Sequence, residues 1–253
     1  MLHADIELIK IGHHVLCQDL TLTFEPGQLY CLLGANGSGK TSLLHTLSGL
    51  KEQALARVYY DGTLVSQMPA KKRACTIGVL LQDQQLPGLN TVYESLYAAR
   101  YPHRALWQQP SKSDEQAIQY AIEAMELTHL LHQPIYQLSG GEQQRLLMGM
   151  LLTQAPEIYI VDEPTNHLDI YYQIRTLKCL KRLAREYNRT IITVLHDINL
   201  AYQFADYVCL LHADGHTQYG PVQETLTASA LTALYHQPVQ AYHVGGGWFF
   251  WFG

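Results

Sequence analysis

Gly34-Ala35-Asn36-Gly37-Ser38-Gly39-Lys40-Thr41 is the stretch on which the reading of this chain turns. It satisfies the spacing G-x-x-x-x-G-K-[ST] at every fixed position. On its N-terminal side, the apolar run Leu29 to Leu33 reads as a buried strand. On its C-terminal side, Lys40 to Leu47 reads as a helix opening straight from the loop. The glycines let the backbone curl until its N–H groups point inward, and the helix N-terminus adds partial positive charge. Together these suit phosphate oxygens. In such a P-loop, Lys40 reaches the β- and γ-phosphates of a nucleotide and the Thr41 hydroxyl holds Mg²⁺.

Working outward, 253 residues can bury one large core, or a core with a subdomain. With 17 Lys and Arg against 22 Asp and Glu, the chain is mildly acidic, which argues against a nucleic-acid surface as its main business. Cys17, Cys31, Cys75, Cys179 and Cys209 are scattered and form no C-x-x-C pair, so a reduced, cytosolic setting is expected. Met1 to Lys10 is too short and polar for a secretory signal. No apolar run approaches the roughly 20 residues that span a bilayer. Work at a membrane would require a partner.

The segment from Ile6 to Phe24 reads as short β runs, and Val58 to Val65 as a hairpin turning at Asp61-Gly62. Ile77 to Leu81 is a buried strand ending at Gln82. From Pro87 to about Ala155 the pattern becomes helical, with helices expected over Thr91 to Arg100, Asp114 to Leu127 and Gly140 to Gln154. Ser113 with Gln116 is a candidate capping box for the second of these. Strand and helix then alternate: Ile158 to Val161, Ile170 to Tyr187, Ile191 to Leu195, Leu200 to Ala205, Val208 to Leu211. Ile170, Ile174, Leu177, Leu180 and Ala184 mark one face of the long helix. Continuous apolar strands imply a mostly parallel sheet covered on both faces.

Ile158 to Glu163 is a strand ending in two carboxylates. Asp162 fits Mg²⁺ support, and Glu163 is placed to polarise a water for attack on the γ-phosphate. Gln82 could offer its amide oxygen to Mg²⁺ or to a water, but Asp83, Gln84 and Gln85 leave the ligand ambiguous. His196 ends a strand, where a neutral imidazole can donate to a γ-phosphate oxygen, or simply be solvated. Leu138-Ser139-Gly140-Gly141-Glu142-Gln143 is a second glycine turn running into a helix. It reads as an anion site, as a Ser139–Glu142 capping box, or as both.

Taken together these segments resemble an ATP-binding-cassette (ABC) ATPase over nearly the whole chain. The loop at Gly34 to Thr41 is similar to Walker A, Gln82 to the Q-loop, Ser139 to Glu142 to the signature, and Ile158 to Glu163 to Walker B with its catalytic glutamate. Leu168-Asp169 is similar to the D-loop and His196 to the switch histidine. The resemblance implies a P-loop NTPase core at 1–85 and 156–253, with an antiparallel N-terminal β part and an inserted helical subdomain at 86–155. It implies ATP and Mg²⁺ as ligands. It also implies a head-to-tail homodimer in which each ATP meets Walker A of one copy and Ser139, Gly140 and Gly141 of the other. The family's adenine-stacking aromatic is missing near Ile11, where His13 or His14 could substitute.

Asp162 to Asp169 and His196 to Ala201 resemble the ATPases of importers for iron–siderophores, haem and vitamin B12, with the balance toward cobalamin or siderophore. That likeness implies a peripheral subunit on the cytoplasmic face of the cell membrane. A transmembrane permease would hold it, and a periplasmic or surface binding protein would deliver substrate. Residues 85–101, with Tyr93, Tyr97 and Tyr101, correspond to the permease contact or are ordinary packing. The aromatic tail, Gly245 to Phe252, is either an edge strand or a contact surface. Two other classes stay open: a soluble ABC ATPase acting on nucleic acid or ribosomes, and an exporter subunit.

Overall fold

The computed structural model describes residues 1–253 except 12, 13, 52, 83, 85, 87 and 105–108, and except the side chains of 11 and 14. The chain forms two compact units, Met1–Met68 with Leu180–Gly253, and Pro69–Cys179.

Strands β1 (Leu2–Ile11) and β2 (His14–Phe24) form a long antiparallel hairpin in which Leu2 pairs with Phe24 and Ala4 with Leu22. All four are fully buried, as the two-residue period of a one-sided strand requires. Then come β3 (Leu29–Leu33), α1 (Lys40–Leu47), β4 (Leu55–Tyr60) and β5 (Thr63–Leu64). The antiparallel sheet runs β2-β1-β4-β5. Asp61 (φ 44°) and Gly62 (φ 78°) make the tight turn between β4 and β5, because a two-residue turn of this hand needs positive φ at both positions.

The second unit holds α2 (Ala70–Thr76), β6 (Ile77–Leu80), α3 (Val92–Ala98), α4 (Lys112–Ala124), α5 (Gly140–Gln154) and β7 (Ile158–Asp162), and most of α6 (Ile170–Tyr187). Here two expectations are corrected. The cap of α4 is Ser111, not Ser113: Ser111 Oγ accepts from Asp114 N at 3.2 Å, and Asp114 Oδ2 accepts from Ser111 N at 2.8 Å. Asp114 is buried against Arg100, whose Nε donates to it at 2.7 Å, so a tertiary ion pair selects the cap. On α6, Leu177, Leu180 and Ala184 are buried as expected, but Ile170 is 77% exposed. Polar contacts anchor that first turn instead: the hydroxyls of Tyr171 and Tyr172 donate to the Glu126 carboxylate at 2.9 and 3.1 Å.

The chain then returns to the first unit with β8 (Thr190–Val194), α7 (Ile198–Phe204), β9 (Tyr207–Leu211), β10 (Thr217–Pro221), α8 (Val222–Thr225), α9 (Ala228–Tyr235), β11 (Val239–Val244) and β12 (Gly247–Phe252). β3 pairs in parallel with β8 and β9, and β6 pairs in parallel with β7; β10 runs antiparallel to β9. Every residue of β3, β7 and β8 is buried, which is why these runs carry no polar alternation. The result is a mixed α/β fold with an antiparallel N-terminal sheet and mostly parallel strands. Asp206 ties the first unit together, accepting from Leu29 N at 2.9 Å and pairing with Lys181 and Arg185 at 2.6 Å each. The aromatic tail forms an edge strand: β12 pairs antiparallel with β11 in a two-stranded sheet, joined at Gly245-Gly246, both at positive φ.

Candidate functional site

In the first unit, β3 delivers the chain into the glycine loop at the point where the sheet ends. Gly39 (φ 97°) caps α1 in the left-handed conformation, and no side chain caps the helix. A Cβ at Gly39 would lie 2.7 Å from Leu16 Cβ, so only glycine fits there. The helix therefore opens with no side-chain cap and no acidic residue in its first turn. Those main-chain donors suit an anion. Lys40 is 7% exposed, and its Nζ donates to the carbonyls of Gly34 (2.9 Å) and Ala35 (3.0 Å), holding the loop curled. Ser38 N donates to Ala35 O at 3.2 Å, while the buried Ser38 Oγ has no hydrogen-bond partner among the described residues. A buried hydroxyl without a partner fits a phosphate oxygen at that place.

His196 follows β8, and β8 lies parallel to β3 with Val194 opposite Leu32. Both strands run the same way, so His196 and the glycine loop leave the sheet at the same end. His196 is exposed. Of the positions considered for adenine stacking, His13 and the side chains of Ile11 and His14 lie outside the described residues.

In the second unit, β6 and β7 lie parallel with Leu80 opposite Val161. That register brings Gln82 beside Asp162 and Glu163. Gln82 Nε2 donates to Glu163 Oε2 at 3.1 Å, Asn166 Nδ2 donates to the same oxygen, and Gln144 Nε2 reaches Glu163 O at 3.5 Å. Of the candidates after β6, Gln82 bonds to Glu163; Asp83 and Gln85 lie outside the described residues. Asp162 is 1% and Glu163 7% exposed. Glu163 sits at φ 51°, a left-handed conformation that a residue with a Cβ adopts only where its surroundings impose it. The carboxylate lines a cavity of about 270 Å³ with Gln82, Gln84, Gly140, Gln144, Asn166 and His167. Asn166 had no assigned role from the sequence. Its position, three residues past Glu163, was the only signal.

Ser139 caps α5 and both bonds of the capping box form: Ser139 N donates to Glu142 Oε2 at 2.8 Å, and Glu142 N to Ser139 Oγ at 3.4 Å. The Ser139 hydroxyl, then its N–H, hold the Glu142 carboxyl below the usual range. Ser139 and Gly140 are exposed. A Cβ at Gly141 would stand 3.0 Å from His167 O, so the turn runs close against the segment after Glu163. Asp169 directly precedes α6, its Oδ1 accepting from Tyr172 N at 3.0 Å. In the stretch considered for docking, Tyr93 is 45% and Tyr101 67% exposed, and Arg104 covers the Tyr97 ring at 4.5 Å. Tyr101 lies beyond α3, in a 3₁₀ turn (Tyr101–His103).

Residues 17–166 match the family described as ABC transporter. The chain is 37% identical over 224 residues to the ferric enterobactin transport ATP-binding protein FepC of Escherichia coli, covering 88% of this chain and 83% of that one. It is 35% identical to the hemin import ATP-binding protein HmuV of Hydrogenovibrio crunogenus, with 98% of each chain covered. Among solved structures it is similar to one described as an inward-facing conformation of a metal-chelate type ABC transporter, with a TM-score of 0.81, 26% identity, and coverage of 100% of this chain and 96% of that one.

Proposed function

The chain belongs to the ABC transporter family, and from that premise we propose that it is the ATP-hydrolysing subunit of an importer for an iron–siderophore or haem. The names of its relatives carry both cargoes. Cobalamin, also considered from the sequence, rests on the likeness of Asp162–Asp169 and His196–Ala201 and is named by neither of these relatives. No helix among the described residues is long and apolar enough to cross a membrane, which fits a subunit peripheral to a permease at the cytoplasmic face. The exposed Leu89, Tyr93 and Tyr101 offer that permease an apolar contact within residues 86–155, the proposed helical insert. A binding protein upstream of the permease completes the proposal.

The observation that carries the reading is the buried Glu163 carboxylate at the end of β7, held by Gln82 and Asn166. A carboxylate fixed by two amides keeps one orientation, as a group that takes a proton from an attacking water must. Lys40 would exchange the carbonyls of Gly34 and Ala35 for β- and γ-phosphate oxygens, with the N–H groups of Gly37 to Thr41 completing the cradle. His196 would donate to the γ-phosphate. Asp162, the Thr41 hydroxyl and the Gln82 amide oxygen are hard oxygen donors of the kind Mg²⁺ takes beside substrate phosphates. When bound, the ion neutralises charge on the β- and γ-oxygens. In a homodimer, Ser139, Gly140 and Gly141 of a second copy would face the γ-phosphate, with Asp169 beside the contact. For this, Glu142 must share Ser139 with the incoming anion.

Glu163→Gln tests the assignment. It retains the acceptor for Gln82 and Asn166 but cannot take a proton, so turnover should fall about 10²- to 10⁴-fold while ATP still binds. A steady-state ATPase rate near that of the unaltered protein would remove Glu163 from the role.

A further inference from the structure

We propose that Asn199 is a positioning residue for His196, and that the C-terminal hairpin is the frame against which it acts. The proposal rests on His196 working at the γ-phosphate, as above. α7 begins at Ile198, directly after Asp197 and His196, and Asp197 caps it by accepting from Asn199 N (2.8 Å) and Leu200 N (3.0 Å). A helix of seven residues is too short to hold its own place, so tertiary contacts must fix it.

Those contacts come from β12. Asn199 Oδ1 accepts from Phe250 N at 2.8 Å, and Asn199 Nδ2 donates to Phe250 O at 3.2 Å. A planar amide that makes both bonds to one residue mimics a strand partner, fixing rotation as well as position. Three residues on, Tyr202 meets the Phe250 ring edge to face, with centroids 5.6 Å apart. Phe250 is 3% exposed, whereas its neighbours Phe249 and Trp251 are 46% and 50% exposed. One ring of the aromatic run is thus inserted, and it is the one that contacts α7.

The hairpin is itself anchored independently of α7. Val239 N donates to Thr232 Oγ1 of α9 at 3.1 Å, and Tyr235 meets Phe252 edge to face at 5.8 Å. α9 in turn buries Leu231 and Leu234. A connected path therefore runs from the core through α9, the hairpin and Asn199 to the start of α7, where His196 is attached. From residue 225 to 253 the chain has no Asp, Glu, Lys or Arg, so this frame depends on packing and amide bonds, which salt does not screen.

The test uses the full-length protein and steady-state ATPase assays, with rates expressed per folded molecule from circular dichroism. Asn199→Ala should lower kcat about tenfold and leave KM for ATP within about twofold, since misplacing His196 harms the transition state more than binding. In a His196→Ala background the same change should add nothing. A residue that is only structural would lower the melting temperature and leave kcat per folded molecule intact. That result overturns the proposal, as does an equal kcat loss in both backgrounds. His196→Ala alone tests the site reading separately. A normal rate there sinks that reading, and the proposal with it; a low rate there beside a normal rate in Asn199→Ala sinks the proposal alone. If Asn199→Ala does not fold, Asn199→Asp replaces it. Asp keeps the acceptor for Phe250 N–H but withdraws the donor, and the same drop in kcat is expected.

Discussion

Lys40 is a buried cation that donates to two main-chain carbonyls of its own loop. Phosphate oxygens carry more charge than carbonyls and form stronger bonds with an ammonium. Lys40→Ala should therefore weaken ATP binding, by about 10- to 100-fold on the usual value of about 1.5–3 kcal/mol for a charged hydrogen bond. Calorimetric titration with nucleotide measures it, and unchanged affinity would show that the loop binds through its backbone alone. Asp114 belongs to the same scale. Burial raises its pKa, but the Ser111 bonds and the Arg100 guanidinium outweigh that and hold the carboxyl at about 2, below its usual 3.8. A depressed folded-state pKa means that the unfolded chain takes up the proton first. The stability from Asp114 is thus complete above about pH 4 and lost as pH falls toward about 2. Chemical denaturation across that window should show the loss in the unaltered protein and a smaller one in Asp114→Asn. The places of Lys40, Asp162 and Glu163 at or beyond strand ends were legible from order alone, because a strand must end where a phosphate loop or a carboxylate pair begins. The Asn166 bond to Glu163 was not, because it depends on how residues 163 to 167 turn, with Glu163 and His167 both at positive φ.

Among the elements, α4 is the instructive case. Ser111 with Asp114 and Ser113 with Gln116 each present a hydroxyl three residues before a side chain that can answer it, so local sequence does not choose between them. Arg100 chooses, because it pairs with Asp114 inside the second unit while donating to Thr153 O at 3.0 Å. Ser111→Ala should cost about 1 kcal/mol, as loss of an N-cap does, and Ser113→Ala only a few tenths. Urea midpoints of the two variants compare them, and the reverse order would restore the sequence-based cap. α6 teaches the same point from its apolar side. Periodicity placed Ile170 on the buried face with Leu177 and Leu180, but periodicity reports direction around a helix and not how far along it the cover extends. α5 needed no such help: Gly140 to Gln154 begins at a capping box and ends before Pro156, and both boundaries hold.

For the whole molecule, exposure of Ser139 and Gly140 at the end of α5 matters most. On the proposed reading, a nucleotide gripped by one copy at Lys40 and by another at Ser139 would make hydrolysis a property of the pair, and ATP would favour the closed pair over the open one. Gly140→Asp in both copies places a carboxylate at that helix end, repelling the γ-phosphate. The permease-bound protein should then lose ATPase activity while each copy keeps its nucleotide affinity. Undiminished turnover would remove the second copy from the reaction.

By itself the sequence determined the strands that must be buried, the loops that end them and the family they make, because continuous apolar runs, glycines and single carboxylates leave little local freedom. Only the tertiary structure decided which serine caps α4, which ring of Trp248 to Phe252 is inserted, and that Asn199 bonds both main-chain groups of Phe250. Those choices are made between residues 14 to 51 positions apart in the chain, where no local pattern reaches and burial of one partner is fixed by the position of the other.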